Sequence, residues 1–182
     1  MTVIYPYITI GGSGTRLKQL SPLDKHLLYF KDKQIIQWIL DIIPDSKIIG
    51  ERKTNSRKET LEQISESYNN ILIIDCDIIP FGFDRTKIDT DTDCVFIFTS
   101  PQLKWGSVLL DNNNRVISSS ENNNISNIKS SGIYFIKDLK HTLAHMTDNS
   151  ILSAMIGAKT IYENTFVRLG DVADYLSAIN IC

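Results

Sequence analysis

Apolar positions recur along this chain with two periods. Residues 5–10 read Tyr-Pro-Tyr-Ile-Thr-Ile, an aromatic and β-branched run that stops at Gly11-Gly12 and predicts a buried strand. Residues 33–43 place Ile35, Ile36, Ile39, Leu40 and Ile43 at helical spacing, and Pro44 follows as a stop. Residues 47–49 make a short strand. Residues 58–68 put Leu61, Ile64 and Tyr68 on one face of an amphipathic helix that Asn69-Asn70 closes. Residues 71–74 are purely apolar, as a central parallel strand requires. Further strands are predicted over 93–99 and 131–136, and further helices over 148–156 and 171–179, with Asp171 as the cap of the last. Residues 105–111 and 115–119 flank Asn112-Asn113-Asn114 and predict a hairpin with asparagine in the left-handed positions. This order predicts an α/β fold, a Rossmann-like three-layer sandwich with a mixed, mostly parallel sheet. No linker interrupts it, so residues 1–182 are read as a single domain.

Composition narrows the function classes. Lys plus Arg is 19 and Asp plus Glu is 21, a net charge of −2, so there is no basic field for a nucleic-acid backbone. The three cysteines form no CxxC and argue against a disulfide scaffold or zinc ribbon. No apolar run approaches bilayer length, and the first residues carry no secretory pattern, which predicts a cytoplasmic protein without a membrane partner. The sequence leaves a homo-oligomer open.

Two segments carry candidate chemistry. Gly11-Gly12-Ser13-Gly14-Thr15-Arg16 follows the first strand directly. Glycines there let the backbone turn tightly and aim N–H groups at phosphate oxygens, and Arg16 adds a charged fork. The segment matches neither the dinucleotide fingerprint nor a Walker A loop. The second segment is Asp75-Cys76-Asp77, at the carboxyl end of the apolar strand, where α/β sheets bind ligands. Read as continued strand, its two carboxylates share a side and could share one divalent cation, with Cys76 facing the core. His141 and His145 lie four residues apart and read as a polar helix surface.

The stretch GGSGTRLKQLSPLDKHLLYFKDKQIIQWIL resembles the signature of the sugar-phosphate nucleotidyltransferases: a G-x-G-T-R-L loop, a lysine (Lys25), two leucines (Leu27-Leu28) and a helix opening at residues 33–36. Two prolines of the family pattern are replaced here by Asp24 and Gln34. Residues 105–108 resemble the family's Y-G-V-V strand, and Glu121 falls at its E-K-P motif, with Asn122 in place of the lysine. Residues 132–135 and 170–175 also fall in register, although Arg168 stands where a second metal-binding Asp belongs.

The resemblance implies a GT-A-like nucleotidyltransferase fold. It implies transfer of a nucleotide from a nucleoside triphosphate to a sugar 1-phosphate, with Mg²⁺ as cofactor and pyrophosphate released. It implies phosphate contacts from Gly11, Gly12, Ser13, Gly14, Thr15 and Arg16, and transition-state contacts from Arg16 and Lys25. It implies metal binding by Asp77, with Asp75 or Asp171, and sugar contacts from Gly106, Glu121 and Gly132. Lys129 is the candidate replacement for the missing lysine. Two other readings are kept: a GT-A-type glycosyltransferase using the D-x-D of Asp75-Cys76-Asp77, and a catalytically impaired nucleotide-sugar-binding homologue, which Arg168 and Asn122 favour.

Overall fold

A computed structural model describes residues 2–10, 23–50, 54, 56–64, 69–102, 105–147, 149–163 and 165–180. The Gly-rich segment with Arg16 lies outside the described residues, as do 65–68 of the predicted second helix and Asp148. The first half of the chain contains β1 (Tyr5–Thr9), β2 (Tyr29–Phe30), β3 (Lys33–Gln34), α1 (Ile35–Ile42), β4 (Lys47–Ile49), α2 (Arg57–Leu61), β5 (Asn69–Asp75) and β6 (Ile78–Ile79). The second half contains β7 (Cys94–Thr99), β8 (Ser107–Leu110), β9 (Val116–Ser120), β10 (Ile128–Asp138), α3 (Leu139–His145), β11 (Lys159–Tyr162), β12 (Val167–Arg168) and α4 (Val172–Asn180).

The main sheet runs β11-β7-β10-β5-β1-β4. β1 pairs in parallel with β4 and β5, and β11 with β7, while β10 is antiparallel to both β5 and β7. Five of these six strands therefore share one direction and β10 alone is reversed. The predicted hairpin forms as β8–β9 and joins the sheet where Lys129 meets Ser107. Its turn holds Asn114 at φ 57, and the Asp111 side chain accepts from the Asn113 and Arg115 amides, both at 2.8 Å.

Strand alternation builds two cores. Ile8, Leu72, Ile74, Phe96, Ile133 and Phe135 face one side, against Ile35, Ile36 and Ile39 of α1 and Ala178 of α4. Tyr7, Ile71, Ile73, Val95, Ile97 and Ile136 face the other, against Leu61 of α2 and Leu139 of α3. With both faces covered, the strands of the central sheet can be apolar throughout, as β5 is. This is the expected three-layer, mixed and mostly parallel α/β fold.

Several expectations are corrected. Asn69 and Asn70 open β5 instead of ending a helix, with Asn70 at φ 57. The described part of 148–156 holds only a 3₁₀ turn, Leu152–Ala154. There Ser150 Oγ accepts from Leu152 N at 3.1 Å and Ser153 Oγ donates to Ser150 O at 2.7 Å, so short hydroxyls compete with helical bonding. The replaced prolines leave a trace in the backbone. Asp24 has φ −65 and ψ 148, and Gln34 has φ −64 and ψ 148, the φ that a proline ring would impose.

Candidate active site

The carboxyl ends of β1 and β5 set the site. β5 ends at Asp75 and Asp77 lies in the turn beyond it, so the strand alternation that would align the two carboxylates stops one residue too soon. Each carboxylate meets its own cation. Lys25 Nζ donates to Asp77 Oδ2 at 2.6 Å, closing a sequence separation of 52 residues. Arg57 Nη2 lies 2.8 Å from Asp75 Oδ1, which also accepts from Thr9 Oγ1 at 3.1 Å. Cys76, between them, turns into the core as expected.

Electrostatics fix these charges. Burial alone would raise the Asp77 carboxyl, but Lys25, Arg168 and Arg57 outweigh it and hold the group well below the usual carboxylate range. Burial alone would lower Lys25, but Asp77 outweighs it and raises the ammonium. Both groups are therefore charged across the working pH range. Burial pushes the Cys76 thiol up to about 12 and the Cys94 thiol up to about 11, so neither is a nucleophile. Accordingly, peptide mass mapping after iodoacetamide treatment at pH 8 should show Cys76 and Cys94 unlabelled in the native protein and labelled in urea. Native labelling of Cys76 at the rate of a free thiol would contradict the site as described.

Arg57 reaches Asp75 because α2 starts where it does. Ser56 caps the helix by accepting from Glu59 N at 3.1 Å, which places Arg57 at the first helical position. Asn149, held at φ 58, accepts from Lys58 N at 3.1 Å and is thereby tied to the same helix start.

Beside this pair of carboxylates lies a cavity of about 210 Å³ lined by Arg57, Asp75, Gly106, Glu121, Ser130, Gly132, Tyr134, Asn149, Ser150 and Arg168. Three of the four residues expected to meet sugar, Gly106, Glu121 and Gly132, are thus brought together. Glu121 Oε1 accepts from Ser150 Oγ at 2.7 Å, and a Cβ on Gly106 would lie 2.9 Å from Glu121 Oε2, so only glycine leaves the carboxylate its place. Lys129 does not line the cavity. It is fully buried and its ammonium bonds Asn124 Oδ1 and, at 2.8 Å, Ser126 O.

The remaining candidates fall around the last helix. Asp171 Oδ1 accepts from Asp174 N at 2.9 Å, capping α4 as expected. At Gly170, a Cβ would sit 3.3 Å from both Asp77 Oδ2 and Asp174 Oδ2 and 3.4 Å from Arg168 Nε. Gly170 thus leaves room between the carboxylates of Asp77 and Asp174 and the Arg168 guanidinium. Among the described residues, no group of three or more His, Cys, Asp or Glu is placed to hold a metal ion. The donor set is nonetheless one that Mg²⁺ accepts in part, since this ion is commonly held by one or two carboxylates with substrate phosphates and water completing its shell. Among the described residues, no helix is long and apolar enough to cross a membrane.

No protein-family model matches the chain, and no curated protein matches it. Solved structures do. The nucleoside-diphosphate-sugar pyrophosphorylase from Vibrio cholerae RC9 superposes with TM-score 0.75 at 13% identity, over 96% of this chain and 99% of that one. The inositol-1-phosphate CTP transferase from T. maritima gives 0.66 at 11% identity, over 97% and 96%. CTP:phosphocholine cytidylyltransferase from Streptococcus pneumoniae gives 0.70 at 14% identity, over 98% of each chain. The chain therefore has the nucleotidyltransferase fold.

Proposed function

We propose that this protein joins a nucleoside triphosphate to a sugar 1-phosphate, giving a nucleotide-sugar and pyrophosphate, in the cytoplasm. The observation that carries the reading is the Lys25–Asp77 pair at the end of β5, set beside a polar cavity that contains Glu121. A phosphate oxygen of the sugar phosphate attacks the α-phosphorus in line. A new P–O bond forms there, and the bond to the pyrophosphate oxygen breaks. Little covalent work falls to the protein, which positions reactants and neutralises charge.

Lys25, a fixed cation, would meet the α-phosphate, and the sequence of Gly11–Thr15 with Arg16 suits the β- and γ-phosphates. Asp77 would hold Mg²⁺ together with substrate phosphate, where the ion would offset the charge of the departing pyrophosphate. Glu121, oriented by Ser150, accepts hydrogen bonds from sugar hydroxyls.

The proteins of like fold name sugar, inositol and choline phosphates, and the cavity lining favours the hydroxylated acceptors. A quaternary ammonium calls for open aromatic faces. Among the described residues, the one aromatic ring lining this cavity is Tyr134, whose hydroxyl is bonded by Ser130 at 2.9 Å, while Glu121, Asp75, Asn149 and Ser150 supply hydroxyl-binding groups. Pyrophosphate release from a matrix of triphosphates and sugar 1-phosphates with Mg²⁺ tests the reading; no release from any pair overturns it.

A further inference from the structure

The acceptor cavity holds two guanidiniums, Arg57 and Arg168, alongside the carboxylates of Asp75 and Glu121. Arg57 enters from the start of α2 and Arg168 from the end of β12, so two separate elements aim cations into one small space. Their bonding is unequal. Arg57 spends one nitrogen on Asp75 and keeps further N–H donors, since the group carries five. Arg168 stacks over the Trp105 ring, its guanidinium carbon 5.4 Å from the ring centre. Its Nε is buried and has no hydrogen-bond partner among the described residues. A buried donor left unpaired is costly, and an anion in the cavity would satisfy it. The Trp105 ring braces the guanidinium from one side, and a planar fork suits a phosphate better than a point charge does. Lys129, whose ammonium is taken up by Asn124 and Ser126, supplies no such contact.

We propose that Arg57 and Arg168 together clamp the phosphate of the acceptor, with Arg168 a specificity-determining residue for phosphorylated over unphosphorylated sugars. The clamp rests on the acceptor reading above and adds the groups that recognise the phosphate. It places that phosphate next to Asp75 and Asp77, where the attacking oxygen has to be.

The test is calorimetry with inorganic phosphate as the probe, on protein first saturated with a non-hydrolysable nucleoside triphosphate so that the Gly-rich segment is occupied. Wild-type protein should bind phosphate saturably, Arg168→Gln should bind at least tenfold more weakly, and Arg168→Lys should recover only part of the loss. Arg57→Lys, which keeps a cation opposite Asp75, should weaken binding severalfold. Triphosphate affinity and the thermal midpoint of Arg168→Gln should stay near wild type, which separates lost recognition from lost folding. Equal phosphate affinity in wild type and Arg168→Gln, or no phosphate binding to wild type, overturns the clamp. Sugar 1-phosphates and their free sugars are titrated in parallel. If phosphate binding depends on Arg168 and no sugar 1-phosphate binds, the clamp stands and the sugar reading fails.

Discussion

Lys25→Met is expected to slow pyrophosphate formation about a hundredfold, the usual range for removing one fixed donor from a charge-developing transition state. Lys25 is held by Asp77 at 2.6 Å, and the pair keeps both charges fixed at neutral pH. Methionine fills a similar volume without the charge. Asp77 would keep Arg168 and Arg57 as neighbouring cations, so the stability loss should be about 1–2 kcal/mol, small enough to leave the protein folded at 25 °C. Single-turnover kinetics beside a urea melt separate the two effects. A variant with wild-type turnover would remove Lys25 from the reaction, whatever its stability.

The second large effect is on folding. Gly132 has φ +89, and a Cβ there would lie 3.0 Å from Asp75 Oδ2 and 3.2 Å from Ile78 Cγ1. It sits where the pairing of β10 with β7 shifts register, between Ser130 and Tyr134. Gly132→Ala therefore combines backbone strain of about 1–3 kcal/mol with a collision against buried neighbours, and about 3–4 kcal/mol in total is expected. Gly157 is the control. It has φ +87 but open space around its Cβ position, so Gly157→Ala should show the strain alone. Urea denaturation of both variants should show Gly132→Ala as the more damaging by at least about 1 kcal/mol, in line with a forced contact. Equal losses would mean that Asp75 and Ile78 yield freely. Gly132→Ala should also lose activity, because the carboxylate it displaces is the one Arg57 holds.

The fold was legible where burial writes a strong pattern. The apolar run at 71–74 and the β-branched run at 5–10 became β5 and β1, and their alternation fills both cores. Elements held by tertiary contacts were not legible. β11, Lys-Thr-Ile-Tyr, is a sheet-edge strand with partly exposed side chains, and no strand was expected there. β12 has two residues and exists because β6 pairs with it. α3 was seen only as a surface around His141 and His145, since its seven residues bury little beyond Leu139 and Thr142.

The site divides the same way. Gly106, Glu121 and Gly132 came from the family resemblance, and the structure lines one cavity with them. Arg57 had no signal of its own. It precedes the segment read as the second helix, and only the fold carries it to Asp75. Arg168 was visible solely as a departure from the family pattern. A departure records what is missing, and the cavity records what the new side chain faces. Lys129 shows the converse: proximity in sequence to Glu121 suggested a phosphate contact, and strand alternation buried it in the opposite role of bracing the loop at residues 124–126.

The most direct measurement is pyrophosphate release, coupled to an optical assay, from each nucleoside triphosphate paired with each sugar 1-phosphate in the presence of Mg²⁺. At least one pair should give stoichiometric pyrophosphate and a nucleotide-sugar of the corresponding mass. That signal should fall about a hundredfold in Lys25→Met. Release of free nucleoside diphosphate from a nucleotide-sugar, with no pyrophosphate from any pair, would contradict nucleotidyl transfer and assign the site to glycosyl transfer instead.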